Sequence, residues 1–297
     1  MRCCILLLYL VCFSTGCAQD ELTIFRVEHR VAGSCEVYNA LGDHLGAVPS
    51  FRHSTDVEMN VGSELNKNNE FALNIEYRNV GACIIDNPDS DILIDMINLP
   101  SHSFLSVSGV LITECKKNWV LTNSLSMSFV DDFQKENYEL KVFGGVSSFL
   151  RKDQTPRFSW GGGVFMNQLA GRIQFFPLIF LRFKNEKRGI ELSFPEQLRI
   201  WQRLNSKSYL QLRVQYNSFS LSRMSANQED WFNTNANAFR ANLSYQYLYK
   251  EFLRFTAGIG GQVSSNLITN AQGQYTYSQF ELPALHVGIA WIFIENN

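Results

Sequence analysis

Residues 238–264 constrain the fold more than any other stretch. Phe239, Ala241, Leu243, Tyr245, Tyr247 and Tyr249 alternate with Arg240, Asn242, Ser244 and Gln246. Past Lys250-Glu251 the pattern resumes, with Leu253, Phe255, Ala257, Ile259 and Val263 against Arg254, Thr256, Gly258, Gly260 and Gln262. A period of two is a strand signal. Each arm is about a dozen residues long, above the usual ~5–6 of a soluble strand and close to the roughly 9–11 that cross a bilayer at a tilt. The pair reads as a transmembrane hairpin. Opposed residues share a face, so its loop holds an odd number of residues. Three residues, Tyr249 to Glu251, satisfy this. Tyr245 is then expected to face Phe255 outward, and Gln246 to face Arg254 inward.

Similar segments run along the chain. Strands are expected at 55–65, 70–78, 101–113, 119–129, 138–150, 158–166, 172–183, 209–218 and 285–293. Trp119, Leu121, Leu125, Met127 and Phe129 oppose a row of Val120, Thr122, Ser124, Ser126 and Ser128, a greasy face against hydroxyls. Residues 172–183 are greasy on both faces, with Pro177 inside them. Residues 189–204 form one bent strand or two around Pro195, which demands a bulge, an edge or a turn. Polar stretches 219–237 and 265–282 read as long loops, and 249–251 as a short turn between them. Short turns on one side and long loops on the other fit an outer-membrane barrel with its C-terminus on the periplasmic side. The expected fold is all-β: a transmembrane antiparallel up-and-down β-barrel of about 12 strands, or 14 if 189–204 is two strands and residues 20–50 add one.

The start of the chain supports export. Met1-Arg2 precedes the apolar run Ile5 to Phe13, and small residues follow from Ser14 to Ala18. This is a secretory signal peptide over residues 1–18, cleaved after Ala18. A lipoprotein signal with Cys17 acylated is the rival, with Ser14 where Leu or Val is usual. Residues 19–52 are then an N-terminal periplasmic extension or an extra strand, and 53–297 the barrel. No later run of 18 apolar residues exists, so no helix is expected to span. Cys35, Cys83 and Cys115 remain after the leader, too few and too scattered for a disulfide framework or a metal set. One bridge with a free thiol, or three free thiols, are both open.

Composition excludes less. The 26 basic and 28 acidic residues give −2, without the basic excess that nucleic acid requires. Mean hydropathy is −0.11, as in a soluble protein or in a barrel whose inner face is wet. The aromatic content of 13% suits interfacial girdles, and Tyr245-Tyr247-Tyr249 and Trp291-Phe293 read as such anchors.

Chemistry is sparse. Of the five histidines only His286 lies on a strong strand, between outward Leu285 and Val287, so it points inward. Ser264 or Ser265 could lie near it, but no Gly-x-Ser-x-Gly occurs, and a satisfied polar histidine is the simpler reading. Arg213, Arg240 and Arg254 lie inward on three consecutive strands. They form either a ladder favouring anions or salt bridges with Glu139, Glu191 or similar groups in a packed interior. Gly161-Gly162-Gly163 lacks the lysine and helix of a phosphate loop and serves strand bending or close packing. The lumen-lining candidates are Arg213, Arg240, Gln246, Arg254, Gln262 and His286; no catalytic residue, cofactor or metal site is expected.

The stretch FSWGGGVFMNQLAGRIQFFPLIFLRFKNEKRGIELSFPEQLRIWQRLNSKSYLQL resembles an uncharacterised outer-membrane β-barrel family of Bacteroidota. In that family a Gly-rich strand precedes a Pro-containing apolar strand, and a further strand ends in Leu-Pro or Phe-Pro, here Phe194-Pro195. The resemblance covers roughly residues 55–294. It implies a Gram-negative outer-membrane barrel without an assigned activity. The residues themselves read as a small channel or structural barrel, with a lipid-acting barrel enzyme, or a soluble periplasmic β-rich ligand-binding protein or lipoprotein, as alternatives. Expected partners are outer-membrane lipid and the barrel-assembly machinery, not nucleic acid, and the barrel is expected to be monomeric.

Overall fold

The computed structural model describes residues 21–33, 35–39, 41–48, 52–80, 102–115, 118–131, 141–169, 172–224, 231–250, 252–270 and 273–294. The leader, Cys83, Glu139 and the Asn87-Pro88-Asp89 loop lie outside them. Strands run in chain order as β1 (Glu21–Ala32), β2 (Cys35–Asn39), β3 (His44–Val48), β4 (Arg52–Asn66), β5 (Asn69–Val80), β6 (His102–Cys115), β7 (Trp119–Asp131) and β8 (Lys141–Thr155). The second half holds β9 (Phe158–Leu169), β10 (Arg172–Lys184), β11 (Arg188–Phe194), β12 (Gln197–Asn205), β13 (Ser208–Met224), β14 (Trp231–Tyr249), β15 (Leu253–Asn270) and β16 (Gly273–Ile294).

All form one antiparallel sheet that closes on itself. β1 pairs with β4 on one side and with β16 on the other, from Glu21↔Ile294 to Ala32↔Ala284. Of the sixteen strands, β2 and β3 stand apart as a hairpin on the far part of β16, through Phe280↔Glu36. The closed wall therefore has fourteen strands. Two features raise the count from twelve. Pro195 and Glu196 are a turn that separates β11 from β12, and β1 is the strand that seals the ring. Bulges between Thr23 and Phe25, and between Gly260 and Gln262, accompany the closure.

At one end of the barrel every connection is two or three residues long, and the described termini lie at the same end. The stretches expected as long loops prove to be mostly strand. β13 runs on to Met224, β14 begins at Trp231, β15 reaches Asn270 and β16 starts at Gly273. Hydrophobic alternation fades there while the ladder continues in register, for example Leu221↔Thr234 and Leu267↔Thr276. A strand needs an apolar face only where that face is buried or in lipid; its hydrogen bonds need only a neighbour. β13 to β16, with β2 and β3, thus project beyond the rest of the wall.

The hairpin of β14 and β15 keeps its expected faces but not its expected partners. Its loop is three residues, 250–252, with Lys250 at φ 49°. The ladder runs one pair further, to Tyr249↔Leu253. Tyr247 therefore meets Phe255, Gln246 meets Thr256, and Leu248 meets Arg254. A left-handed residue can open such a turn even without glycine, and the alternation alone cannot choose between shifts of two.

Burial follows a barrel turned inside out. Along β14 from Phe239 to Tyr249, exposed and buried residues alternate without a break, and the exposed ones are the apolar set. Phe25, Met59, Leu125, Val164, Ile179, Leu285 and Trp291 are outward and exposed on other strands. The packed core is a floor inside the short-turn end. Trp201 (3% exposed) and Tyr209 (1%) are buried there, and Leu248 packs with Ala290 and Ile292. Gly189, opposite Trp201, makes room for its indole, since a Cβ would collide with the ring. Beside it Arg199 Nη2 donates to Glu191 Oε1 at 3.0 Å, both side chains 2% exposed, and the guanidinium lies 5.2 Å from the Trp201 ring.

Glu191→Ala leaves a buried guanidinium without its carboxylate and is expected to cost about 3–5 kcal/mol, whereas the Glu191→Leu/Arg199→Met pair is expected to fold near wild-type stability. Urea unfolding in vesicles measures both. Gly163→Val drives a side chain into the Ser148 carbonyl of the next strand. The same assay is expected to show a loss of about 1–3 kcal/mol.

Candidate functional site

Above the floor the lumen narrows to a cavity of about 60 Å³, room for a few waters or one small ion. Four arginines reach it: Arg26 from β1, Arg199 from β12, Arg213 from β13 and Arg254 from β15. Glu28 is the carboxylate among its lining residues, and Gln211, Asn242, Gln246 and His286 complete the polar wall. Each sits on an inward position because the neighbouring residues along its strand are apolar and outward, His29 beside Glu28 excepted.

Four of the six lumen candidates, Arg213, Gln246, Arg254 and His286, line this cavity. Gln246 hydrogen-bonds Gln211 on β13. His286 lies across Gly258, where a Cβ would collide with its imidazole, so the glycine makes room for the ring. Arg240 and Gln262 are paired beside the cavity instead: Arg240 Nε donates to Gln262 Oε1 at 3.2 Å, and its Nη1 is 3.7 Å from Asp56 Oδ2. Glu191 does pair with an arginine, but with Arg199 rather than one of the expected three.

The opposite charges come mainly from β1, β4 and β5. Arg26 Nη2 meets Glu58 Oε2 at 2.5 Å, Arg78 Nε donates to Asp56 Oδ1 at 2.7 Å, and Arg78 Nη2 to Glu76 Oε1 at 3.0 Å. This wall is an ion-pair network. The wall of β12 to β16 carries more cation than anion. Three buried polar atoms on the cavity lining, Gln211 Nε2, Asn242 Oδ1 and His286 Nδ1, have no partner among the described residues. Buried polar groups usually have one, so these are points at which a small polar guest can bind.

Arg26, Glu28 and Arg199 were missed by sequence reasoning. Their signal was available: Phe25, Val27 and Val31 alternate with Arg26, Glu28 and Arg30, a strand face like the others. Ser264 and His286 do not meet. His286 opposes Gly258 and Ser264 opposes Gln279 on the same pair of strands, a separation of roughly 20 Å at strand rise. Cys115 is an exposed free thiol.

No curated protein matches the chain. Among solved structures, the toluene transporter TodX of Pseudomonas putida aligns over 90% of this chain and 88% of its own, at 8% identity and a TM-score of 0.37. The translocator domain of the autotransporter NalP of Neisseria meningitidis aligns over 91% and 88%, at 9% identity and 0.31. At these scores neither likeness bears on function. The sequence model of a domain of unknown function, DUF6268, matches residues 104–281. That match spans more than half of the chain, and the protein belongs to this family.

Proposed function

We propose that the protein is an outer-membrane β-barrel that admits small anions to an arginine-lined constriction. The observation that carries this reading is the cavity itself: Arg199, Arg213 and Arg254 converge on a polar space inside a wall whose outer face is apolar. An apolar exterior around a polar interior suits a lipid surround, not water. A ladder closed without an edge leaves no backbone group to desolvate in lipid along the closed part. In this reading the leader directs export, the barrel-assembly machinery inserts one chain as one barrel, and the short turns face the periplasm. Tyr245, Tyr247, Tyr249 and Trp291, outward near those turns, serve as interfacial anchors.

Partial compensation by Glu28 and Glu191 keeps the arginines from repelling one another. It leaves an excess of positive charge, which attracts anions and opposes cations. The buried floor of Trp201, Tyr209, Leu248 and Ile292 keeps conductance small. It also favours a second reading, a barrel that binds the anion without passing it; calorimetric binding of phosphate without conductance would select that one.

In planar bilayers under a salt gradient, the folded protein is expected to give small steps with an anion-selective reversal potential. Arg213→Glu changes the local charge by two and is expected to shift the anion-to-cation permeability ratio roughly tenfold toward cations. A cation-selective wild type, or a folded barrel with neither steps nor phosphate binding, removes the proposal.

A further inference from the structure

The barrel wall is not equally tall all round. β11 has 7 residues and β12 has 9, between β10 with 13 and β13 with 17. β10 meets β11 only from Ile179 to Lys184, and β13 pairs with β12 only from Ser208 to Gln215. Among the described residues, beyond the Pro195-Glu196 turn, 172–178 of β10 pair with β9 alone, and 217–224 of β13 pair with β14 alone. Two strands are missing from the wall there, so the two edges stand on the order of 14 Å apart. Pro177 lies on the free edge of β10, the position in a sheet that tolerates proline.

The β10 border of this gap carries apolar side chains on both faces of the wall. Outside, Ile173 is 64% exposed and Phe175 72%. Inside, Phe149 of β8, Phe165 of β9, and Phe176 and Phe180 of β10 face the lumen. Phe149 and Phe180 lie 5.9 Å apart between ring centroids, and Phe165 and Phe176 6.3 Å. Gly161 leaves the space for them, since a Cβ there would come within 2.8 Å of Phe149 Cζ. The adjoining lining is hydroxyl-rich, with Ser124 bonded to Ser147 at 2.6 Å and Ser106 to Ser128 at 3.1 Å. A phenylalanine patch in a polar lumen gains nothing from water, and it runs from Phe176 and Phe165, level with the opening, to Phe180 at its lower rim.

We infer that the gap above the β11–β12 turn is a side entrance through which a lipid acyl chain enters the lumen and lies on Phe149, Phe165, Phe176 and Phe180. The inference rests on the membrane reading above but not on the anion constriction. The occupant follows from proximity: Ile173 and Phe175 face outward and Phe176 faces inward on the same edge strand, with Gln174 the one polar side chain among them. Covering that patch removes apolar area from water, which is favourable. The free N–H and C=O groups of the β10 edge need partners in lipid. Water from the lumen supplies them, so a chain with a polar head fits the site better than a neutral hydrocarbon.

The test uses nitroxide labels in the full barrel, with Cys35, Cys83 and Cys115 changed to Ser, in phosphatidylcholine vesicles. Accessibility to oxygen, which concentrates among acyl chains, is compared with accessibility to a water-soluble nickel chelate. A label at Phe176→Cys is expected to favour oxygen severalfold, as does an outward control at Leu243→Cys. An inward control on the closed wall, Ser126→Cys, is expected to favour nickel. Phe165→Cys gives the same readout should the first variant fail to fold on a heat-modifiability gel. A nickel preference at 176 and 165 with an oxygen preference at 243 overturns the side entrance and leaves the membrane reading intact. A nickel preference at 243 overturns both.

Discussion

The structure depends on one set of hydrogen bonds, those between β1 and β16. Most other ladders join strands adjacent in sequence, which local turns can bring together; β1–β4 skips only the β2–β3 hairpin, and β2 docks on β16 outside the ring. The β1–β16 ladder joins residues 21–32 to residues 284–294, and only a completed ring can form it. Without it the sheet has two long edges. With it the backbone is satisfied around the closed part of the wall, below the free edges of β10 and β13, and the apolar side chains there face outward without penalty in a bilayer.

Closure also fixes the inner volume, and the inward residues show how it is shared. Large side chains are set against glycines on the neighbouring strand: Trp201 against Gly189, His286 against Gly258, Phe180 against Gly161. At the short-turn end such pairs, with Tyr209 and Ile292, fill the space and make a floor. Higher up the walls differ in character. β1, β4 and β5 neutralise their own charges, β12 to β16 hold the arginine-rich cavity, and β8 to β10 present phenylalanines. A single ring thus carries a polar site and an apolar one on different arcs, and the shortened β11–β12 hairpin lies between them.

Much of this was legible in the residues. The faces of β14 and β15, the inward direction of His286 and the hydroxyl row on β7 follow from period-two alternation, because a strand allows only two directions. Strand number was legible only as a choice between twelve and fourteen, since Pro195 marks a break without saying how far the chain turns. The upper parts of β13 to β16 were misread as loops because alternation disappears where neither face meets an apolar medium. The greasiness of both faces of residues 172–183 is plain in the sequence, but its cause is not. Phe176 and Phe180 are inward, and what they face comes from β8 and β9.

The sequence by itself determined the side-chain faces, the antiparallel neighbours and the family, because these depend on local periodicity and on motif residues within a few tens of positions. The tertiary structure decided which residue opposes which, since a register shift of two preserves every face. It alone brought Arg26 to Arg254 across the closure, left Ser264 far from His286, and made the short β11 and β12 into a gap. Those outcomes depend on relative strand heights around a closed ring, a quantity no single segment contains.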